Sequence, residues 1–183
     1  MAQAIRYAIN KNKYLLEPEV LKLETLLENS VDQNEGENLR DTLLLWLGLK
    51  TGARATEILL LRKNDLNTYD KTVFIRGIKG SNDRELPLNK WLFDRLNAYS
   101  ETLTHTQGDL FPIGYHRLRQ IWEWYRPAPK KLHALRHTFA IRLYQKTKDL
   151  RLVQVALGHR NITNTMVYAD YVYSQQELRK LIL

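Results

Sequence analysis

The sequence of 183 residues contains no cysteine. That absence excludes a disulfide framework, a cysteine-ligated zinc finger, an iron–sulfur site and a thiol nucleophile. Long hydrophobic runs are missing as well. The longest, Thr42 to Leu49, is far shorter than the roughly 20 residues that a bilayer crossing requires. The opening Met1-Ala-Gln-Ala-Ile-Arg-Tyr7 has no apolar core of the kind a signal segment carries. There are no internal repeats or low-complexity tracts, and no Gly-rich loop of the nucleotide-binding type. What remains is 44% hydrophobic with four Trp and ten Tyr, which excludes wholesale disorder. The length suits one domain that buries about 70% of its unfolded surface without a metal or disulfide staple. The composition reads as a soluble, basic domain of the cytoplasm with no membrane partner.

Acidic residues are scarce in one place. Between His116 and Arg151 stand ten Lys/Arg, opposed only by Glu123 and Asp149, and this surplus equals the net +8 of the whole chain. A solvated helical face is the plainer account of such a run. Its concentration in one segment favours a polyanion, because each neutralised phosphate releases condensed counterions. No basic helix with a wide apolar face accompanies it, so nucleic acid is preferred over a membrane surface.

Apolar spacing predicts helices from Glu17, from Asn38 to Lys50 with a stop at Gly52, and from Arg54. Further helices are expected near 89–103, 115–125, 132–145 and 150–157, with a short apolar-sided one at 175–183. Val73–Ile75 and Glu85–Leu88 read as strands around a turn at Gly77–Asp83. The fold class is therefore mainly α with one small antiparallel β-sheet. Residues 1–13 read as a basic arm or linker, followed by a domain over 14–183.

Three segments concentrate reactive side chains. In Thr51-Gly-Ala-Arg-Ala-Thr-Glu57, Arg54 and Glu57 share a helix face, as in an ordinary helix-start ion pair. In Leu132-His-Ala-Leu-Arg-His-Thr-Phe-Ala140, His133 and Arg136 share a face and can address one phosphate. His133 and His137 also have zincin spacing, but Ala134 occupies the place of the glutamate that motif needs. In Leu157-Gly-His-Arg-Asn-Ile-Thr-Asn-Thr-Met-Val-Tyr168, His159 and Tyr168 have the plainer reading of half-buried, hydrogen-bonded side chains.

In this order and spacing the segments resemble the catalytic domain of tyrosine site-specific recombinases, the phage-integrase, Xer and Cre group. The likeness extends to Leu15-Leu-Glu-Pro-Glu-Val20 and to the Lys79-Gly80 turn leading into Arg84-x-x-Pro-Leu88, and covers about residues 14–173. It implies Arg54 and Arg136 as the two catalytic arginines, Lys79 as the hairpin lysine, His133 and His159 as the two histidines, Tyr168 as nucleophile and Glu57 as a supporting acid. Tyr171 and Tyr173 are the rival nucleophiles by proximity. The hairpin departs from the commoner Gly-Lys-Gly form in having Ile78 before Lys79. His137 has no catalytic role in this reading and is expected to pack or hydrogen-bond locally.

The implied chemistry is attack of the tyrosine oxygen on a DNA phosphodiester, giving a 3′-phosphotyrosyl bond and a free 5′-hydroxyl. Two permanently charged guanidiniums suit the charge that develops on the non-bridging oxygens. Tyrosine needs a base, for which His133 is expected, and the leaving oxygen needs an acid, for which Lys79 is expected. His159 would donate to a phosphate oxygen. No metal or other cofactor is called for. Arg117, Arg119, Lys130, Lys131 and Arg160 are expected to contact double-stranded DNA. The resemblance further implies a tetramer on DNA, an optional accessory directionality or architectural factor, nucleoid association, and a separate N-terminal DNA-binding domain that this sequence lacks. A type IB topoisomerase and a DNA-binding relic are the alternatives.

Overall fold

The apolar stretch in the middle of the sequence forms the helix around which the other elements pack. A computed structural model describes residues 9–33, 37–78, 80–104, 108–171, 173 and 175–183. Helix α2 (Glu37–Thr51) is buried without interruption from Asp41 to Leu49, as expected of a helix that is hydrophobic all round. Around it stand α1 (Glu17–Gln33), α3 (Ala55–Leu59), α4 (Lys90–Thr102), α5 (Tyr115–Tyr125) and α6 (Ala134–Thr147). Leu23 and Leu27 of α1, Leu43 to Leu45 and Leu47 of α2, and Leu92, Phe93 and Leu96 of α4 lie in this core. Each such side chain contributes about 1.5–3 kcal/mol by leaving water.

The sheet is a three-stranded antiparallel meander: β1 (Leu66–Asn67), β2 (Thr72–Ile75) and β3 (Arg84–Pro87). Val73 and Ile75 point inward at period two, opposite Leu86 and Arg84. The sequence signals both long strands but not β1, whose two residues are too few to show a period. A second, smaller core lies beyond α6. It joins Ala140, Ile141 and Tyr144 to Val153 and Leu157 of α7 (Leu150–Leu157), and to Tyr168 in a 3-10 helix at Met166–Tyr171. Helix α8 (Gln175–Ile182) closes the chain. Among the described residues no helix is long and apolar enough to cross a membrane.

Residues 9–15 pack against the body of the domain. Ile9 is buried in the second core, the Leu15 amide donates to Thr138 Oγ1 at 2.8 Å, and the Tyr171 hydroxyl donates to the Ile9 carbonyl at 2.7 Å.

Candidate active site

The site is assembled at the places where helices end. Helix α2 stops at Gly52, whose φ of +62° is left-handed. A Cβ there would also stand 2.4 Å from the Phe139 ring. This turn sets Arg54 in extended geometry at the N-cap of α3. One turn later comes Glu57, whose side chain is fully buried. Glu57 accepts from the Arg54 amide at 2.8 Å and from Arg54 Nη1 at 3.1 Å. It also accepts from Arg84 Nη2 at 2.8 Å, and Arg136 Nη1 lies 4.0 Å away. One carboxylate thus faces three guanidiniums. Burial alone would raise the pKa of Glu57. The hydrogen bond and charge of Arg84, the Arg54 amide and the charge of Arg136 outweigh it and hold the carboxyl below its ordinary value.

Arg136 is pinned. Its Nη1 donates to the Gly52 carbonyl at 2.7 Å and its Nη2 to the Leu157 carbonyl at 2.9 Å. Burial, and then the charge of Arg54, lower its pKa to about 9, so it stays protonated at neutral pH. The two carbonyls occupy two of the five N–H groups an arginine carries.

Helix α7 ends at Gly158, left-handed at φ +69°, and hands the chain to His159. His159 Nδ1 lies 2.9 Å from Thr165 Oγ1, and its carbonyl accepts from Gln154 Nε2 at 2.9 Å. His133 precedes α6 at its N-cap, a partly exposed position. Crowding by protein, then the charges of Arg136 and Arg54, lower the pKa of His133 to about 4 and that of His159 to about 3. Both are neutral imidazoles at pH 7.

Tyr168 is 2% exposed. Its hydroxyl lies 2.9 Å from Nδ1 of His137, whose ring meets that of His133 edge-on at 4.7 Å between centroids. The sequence leads one to expect local packing or hydrogen bonding for His137; its partner is instead the expected nucleophile, 31 residues away. Tyr171 donates to the Ile9 carbonyl and stacks edge-on with Tyr14, while Tyr173 lies on the surface beneath the Lys148 ammonium. Lys79 lies outside the described residues. Among the described residues no cluster of three or more His, Cys, Asp or Glu could hold a metal.

The comparisons with known proteins bear on this arrangement directly. The sequence profile described as the phage integrase family matches residues 14–175. The chain belongs to the phage integrase family. Among curated members of this family, the tyrosine recombinase XerA of Thermococcus kodakarensis is 31% identical over 159 residues, which is 78% of this chain and 56% of the relative. The tyrosine recombinase XerD of Staphylococcus epidermidis is 32% identical over 183 residues, 90% of this chain and 61% of the relative. Among solved structures, the XerH recombinase in its post-cleavage complex with palindromic difH substrate matches with a TM-score of 0.69 at 27% identity, over 94% of this chain and 53% of that one. The catalytic domain of bacteriophage HP1 integrase matches in fold with a TM-score of 0.65 at 23% identity, over 94% and 95% of the two chains. The chain spans little more than half the length of the curated relatives it matches.

Two positions that this integrase fold places at the site carry no signal of their role in the sequence. Arg84 stands just before the expected strand Glu85–Leu88, at the head of the Arg84-x-x-Pro-Leu88 likeness, with nothing to mark it as buried; its side chain is 3% exposed, and its Nε and Nη1 have no hydrogen-bond partner among the described residues. Ser81 reads as a turn residue and is 4% exposed against Arg54 and Gly158. Of the five side chains expected to meet DNA, Arg117, Arg119, Lys131 and Arg160 are exposed, with Arg117 3.6 Å from Asp41 and Arg119 3.6 Å from Glu123. Lys130 is not placed as expected. It is 8% exposed, and its ammonium is committed to Glu19 and the Tyr14 carbonyl. The composition registers its charge but not the acid 111 residues away that takes it up.

Three neutral histidines make the site sensitive to acid. His137, lowered to about 3 by burial and then by the charges of His133 and Arg136, behaves like His159 and His133. Unfolded histidine binds a proton below about pH 6.5, whereas these folded ones do not until far lower pH. The unfolded state therefore takes up more protons, and stability falls as pH drops from 6.5 toward 4. Each of the two buried rings, His137 and His159, contributes about 1 kcal/mol of loss per pH unit in that window. Glu57, held below its ordinary pKa, adds a further loss only at lower pH, as it protonates. Thermal midpoints measured at pH 7, 6 and 5 should fall progressively. A flat profile would show that these rings protonate in the folded state.

Proposed function

We propose that this chain carries the strand-transfer centre of a site-specific DNA recombinase, which cleaves and rejoins duplex DNA through a 3′-phosphotyrosyl intermediate. The observation that supports it most is the gathering of Arg54, Arg84 and Arg136 on one buried carboxylate, beside two neutral histidines and Tyr168. Three guanidiniums against one carboxylate leave a surplus of positive charge, which reaches the surface at Arg54. A phosphodiester supplies the missing anion.

In the proposed cleavage, the Tyr168 oxygen attacks phosphorus while the P–O5′ bond breaks. Arg54 and Arg136 stabilise charge on the non-bridging oxygens, with Arg136 already oriented by its two carbonyls. The neutral His133 accepts the phenolic proton, His159 donates to a phosphate oxygen, and Lys79 protonates the 5′-oxygen. The reverse steps, with another strand's 5′-hydroxyl attacking, rejoin the DNA. The phosphotyrosyl bond conserves the energy of the phosphodiester, so no nucleotide is consumed. Tyr168 must first leave its hydrogen bond to His137, whose net worth is about 1 kcal/mol.

The palindromic difH substrate of the XerH complex supports duplex DNA as partner. A palindrome presents the same half-site twice, which suits paired protomers and a synapse of four copies.

The test is covalent capture. The protein is incubated with nicked duplexes whose centres are randomised, with and without EDTA, and denaturation-resistant adducts are recovered, sequenced and re-enriched. A metal-independent adduct attached through Tyr168 supports the reading; no adduct from any pool overturns it. The exposed cations carry a separate expectation. Replacing Arg117, Arg119, Lys131 and Arg160 together by Ala should reduce the slope of log affinity against log salt by about 3.6, at about 0.9 for each phosphate left unneutralised. Anisotropy of a labelled duplex across a salt series measures this, and an unchanged slope would place the DNA face elsewhere.

A further inference from the structure

Arg54 and Arg136 are held in different ways. Arg136 is clamped by two backbone carbonyls, whereas Arg54 is about one-third exposed and rests on side chains alone: Glu57 Oε1 at 3.1 Å and Ser81 Oγ at 2.9 Å. We infer that Ser81 is a positioning residue for the Arg54 guanidinium, and that it ties that guanidinium to the loop bearing His159.

The hydroxyl of Ser81 uses both of its capacities. It accepts from Arg54 Nη1 and donates its one proton to the Gly158 carbonyl at 3.0 Å. The amide of Asn82 donates to the same carbonyl at 2.8 Å, and the Ser81 backbone pairs with His159 in an isolated antiparallel bridge. The approach is so close that a Cβ on Gly158 would lie 2.6 Å from the Asn82 carbonyl oxygen and 2.9 Å from Ser81 Oγ. Only glycine, already in left-handed geometry there, admits this contact. The chain just after Lys79 is thereby seated on the turn that leads into His159, and its one buried hydroxyl aims Arg54.

An arginine has several rotatable bonds, and one hydrogen bond does not fix its terminal plane. Losing Ser81 Oγ leaves Nη1 with Glu57 alone and frees the guanidinium to tilt. The Asn82–Gly158 bond and the backbone bridge do not involve the hydroxyl, so Ser81→Ala removes the aim while leaving the seat.

This inference rests on the strand-cleavage reading above. The experiment uses the full chain and a nicked duplex recovered by covalent capture, in single-turnover cleavage. Ser81→Ala should cleave about 10- to 100-fold more slowly, the scale of a roughly 1 Å misplacement at a reacting centre. Its thermal midpoint and DNA affinity should stay close to the parent's. Ser81→Thr, which keeps the hydroxyl, should recover most of the rate, and if Ser81→Ala does not fold, Ser81→Gly carries the same test. In an Arg54→Ala background, Ser81→Ala should have almost no further effect, because the group it positions is gone. The same loss of effect is expected on a duplex whose scissile phosphate carries a methyl group in place of a non-bridging oxygen, since the charge Arg54 meets is then removed. A rate equal to the parent's, or a defect undiminished in the Arg54→Ala background, overturns the inference. If the parent protein captures no duplex at all, the cleavage reading fails and this inference falls with it.

Discussion

Tyr168→Phe is expected to eliminate covalent DNA capture while leaving DNA affinity nearly unchanged. The substitution removes one oxygen from a ring that is 2% exposed and otherwise filled into the second core, so the packing survives. It also removes the 2.9 Å hydrogen bond to Nδ1 of His137, which should lower stability by about 1 kcal/mol. The two effects separate cleanly. Denaturing gels report the chemistry, urea unfolding reports the lost hydrogen bond, and anisotropy reports binding. Tyr171→Phe is the matched control. It loses the bond to the Ile9 carbonyl and a similar stability, but capture should persist. Adducts that survive in Tyr168→Phe would move the nucleophile to Tyr171 or Tyr173.

Glu57→Ala should be the most destabilising single change at the site. Glu57 is the carboxylate within 4.0 Å of Arg54, Arg84 and Arg136, and its side chain is fully buried. Removing one partner of a buried charge network typically costs about 3–5 kcal/mol, because the remaining charges stay desolvated without compensation. Glu57→Gln keeps the shape and one acceptor oxygen but not the charge, and should lie between the parent and Glu57→Ala. The mechanism has a signature beyond magnitude. Sulfate in the buffer should stabilise Glu57→Ala more than the parent, since an anion can enter the pocket the carboxylate vacated. Unfolding by urea with and without sulfate decides this. An Ala variant as stable as the parent would mean that water already compensates these guanidiniums.

The sequence discloses most of this fold because its signals are local. Helical spacing locates α1 to α8 to within a few residues. The left-handed Gly52 stop is where the apolar run of α2 predicts it, and the alternation of Val73 and Ile75 marks the central strand. The structure brings Arg54 and Arg136 to the Glu57 carboxylate, with His133, His159 and Tyr168 around them. What escapes is long-range. Arg84 stands just outside the expected strand, until its register opposite Ile75 turns it inward toward Glu57. Lys130 is one cation in a basic run until Glu19 claims it. His137 shows a helix face but not the tyrosine 31 positions later that it holds. Pairings of this kind depend on where separate elements come to rest, and no local pattern encodes that.

The strap formed by residues 9–15 bears on timing. It is bound to the Tyr168 segment through the Ile9–Tyr171 hydrogen bond and the Tyr14–Tyr171 edge contact, and to α6 through Leu15 and Thr138. Swinging Met166–Tyr171 outward breaks the first two links at once. The Tyr168 segment and the strap are therefore expected to open as one cooperative unit, with a shared frequency of release. Amide protons on the two segments should exchange with solvent in concert, and in the proposed mechanism that shared release sets how often Tyr168 is presented to DNA.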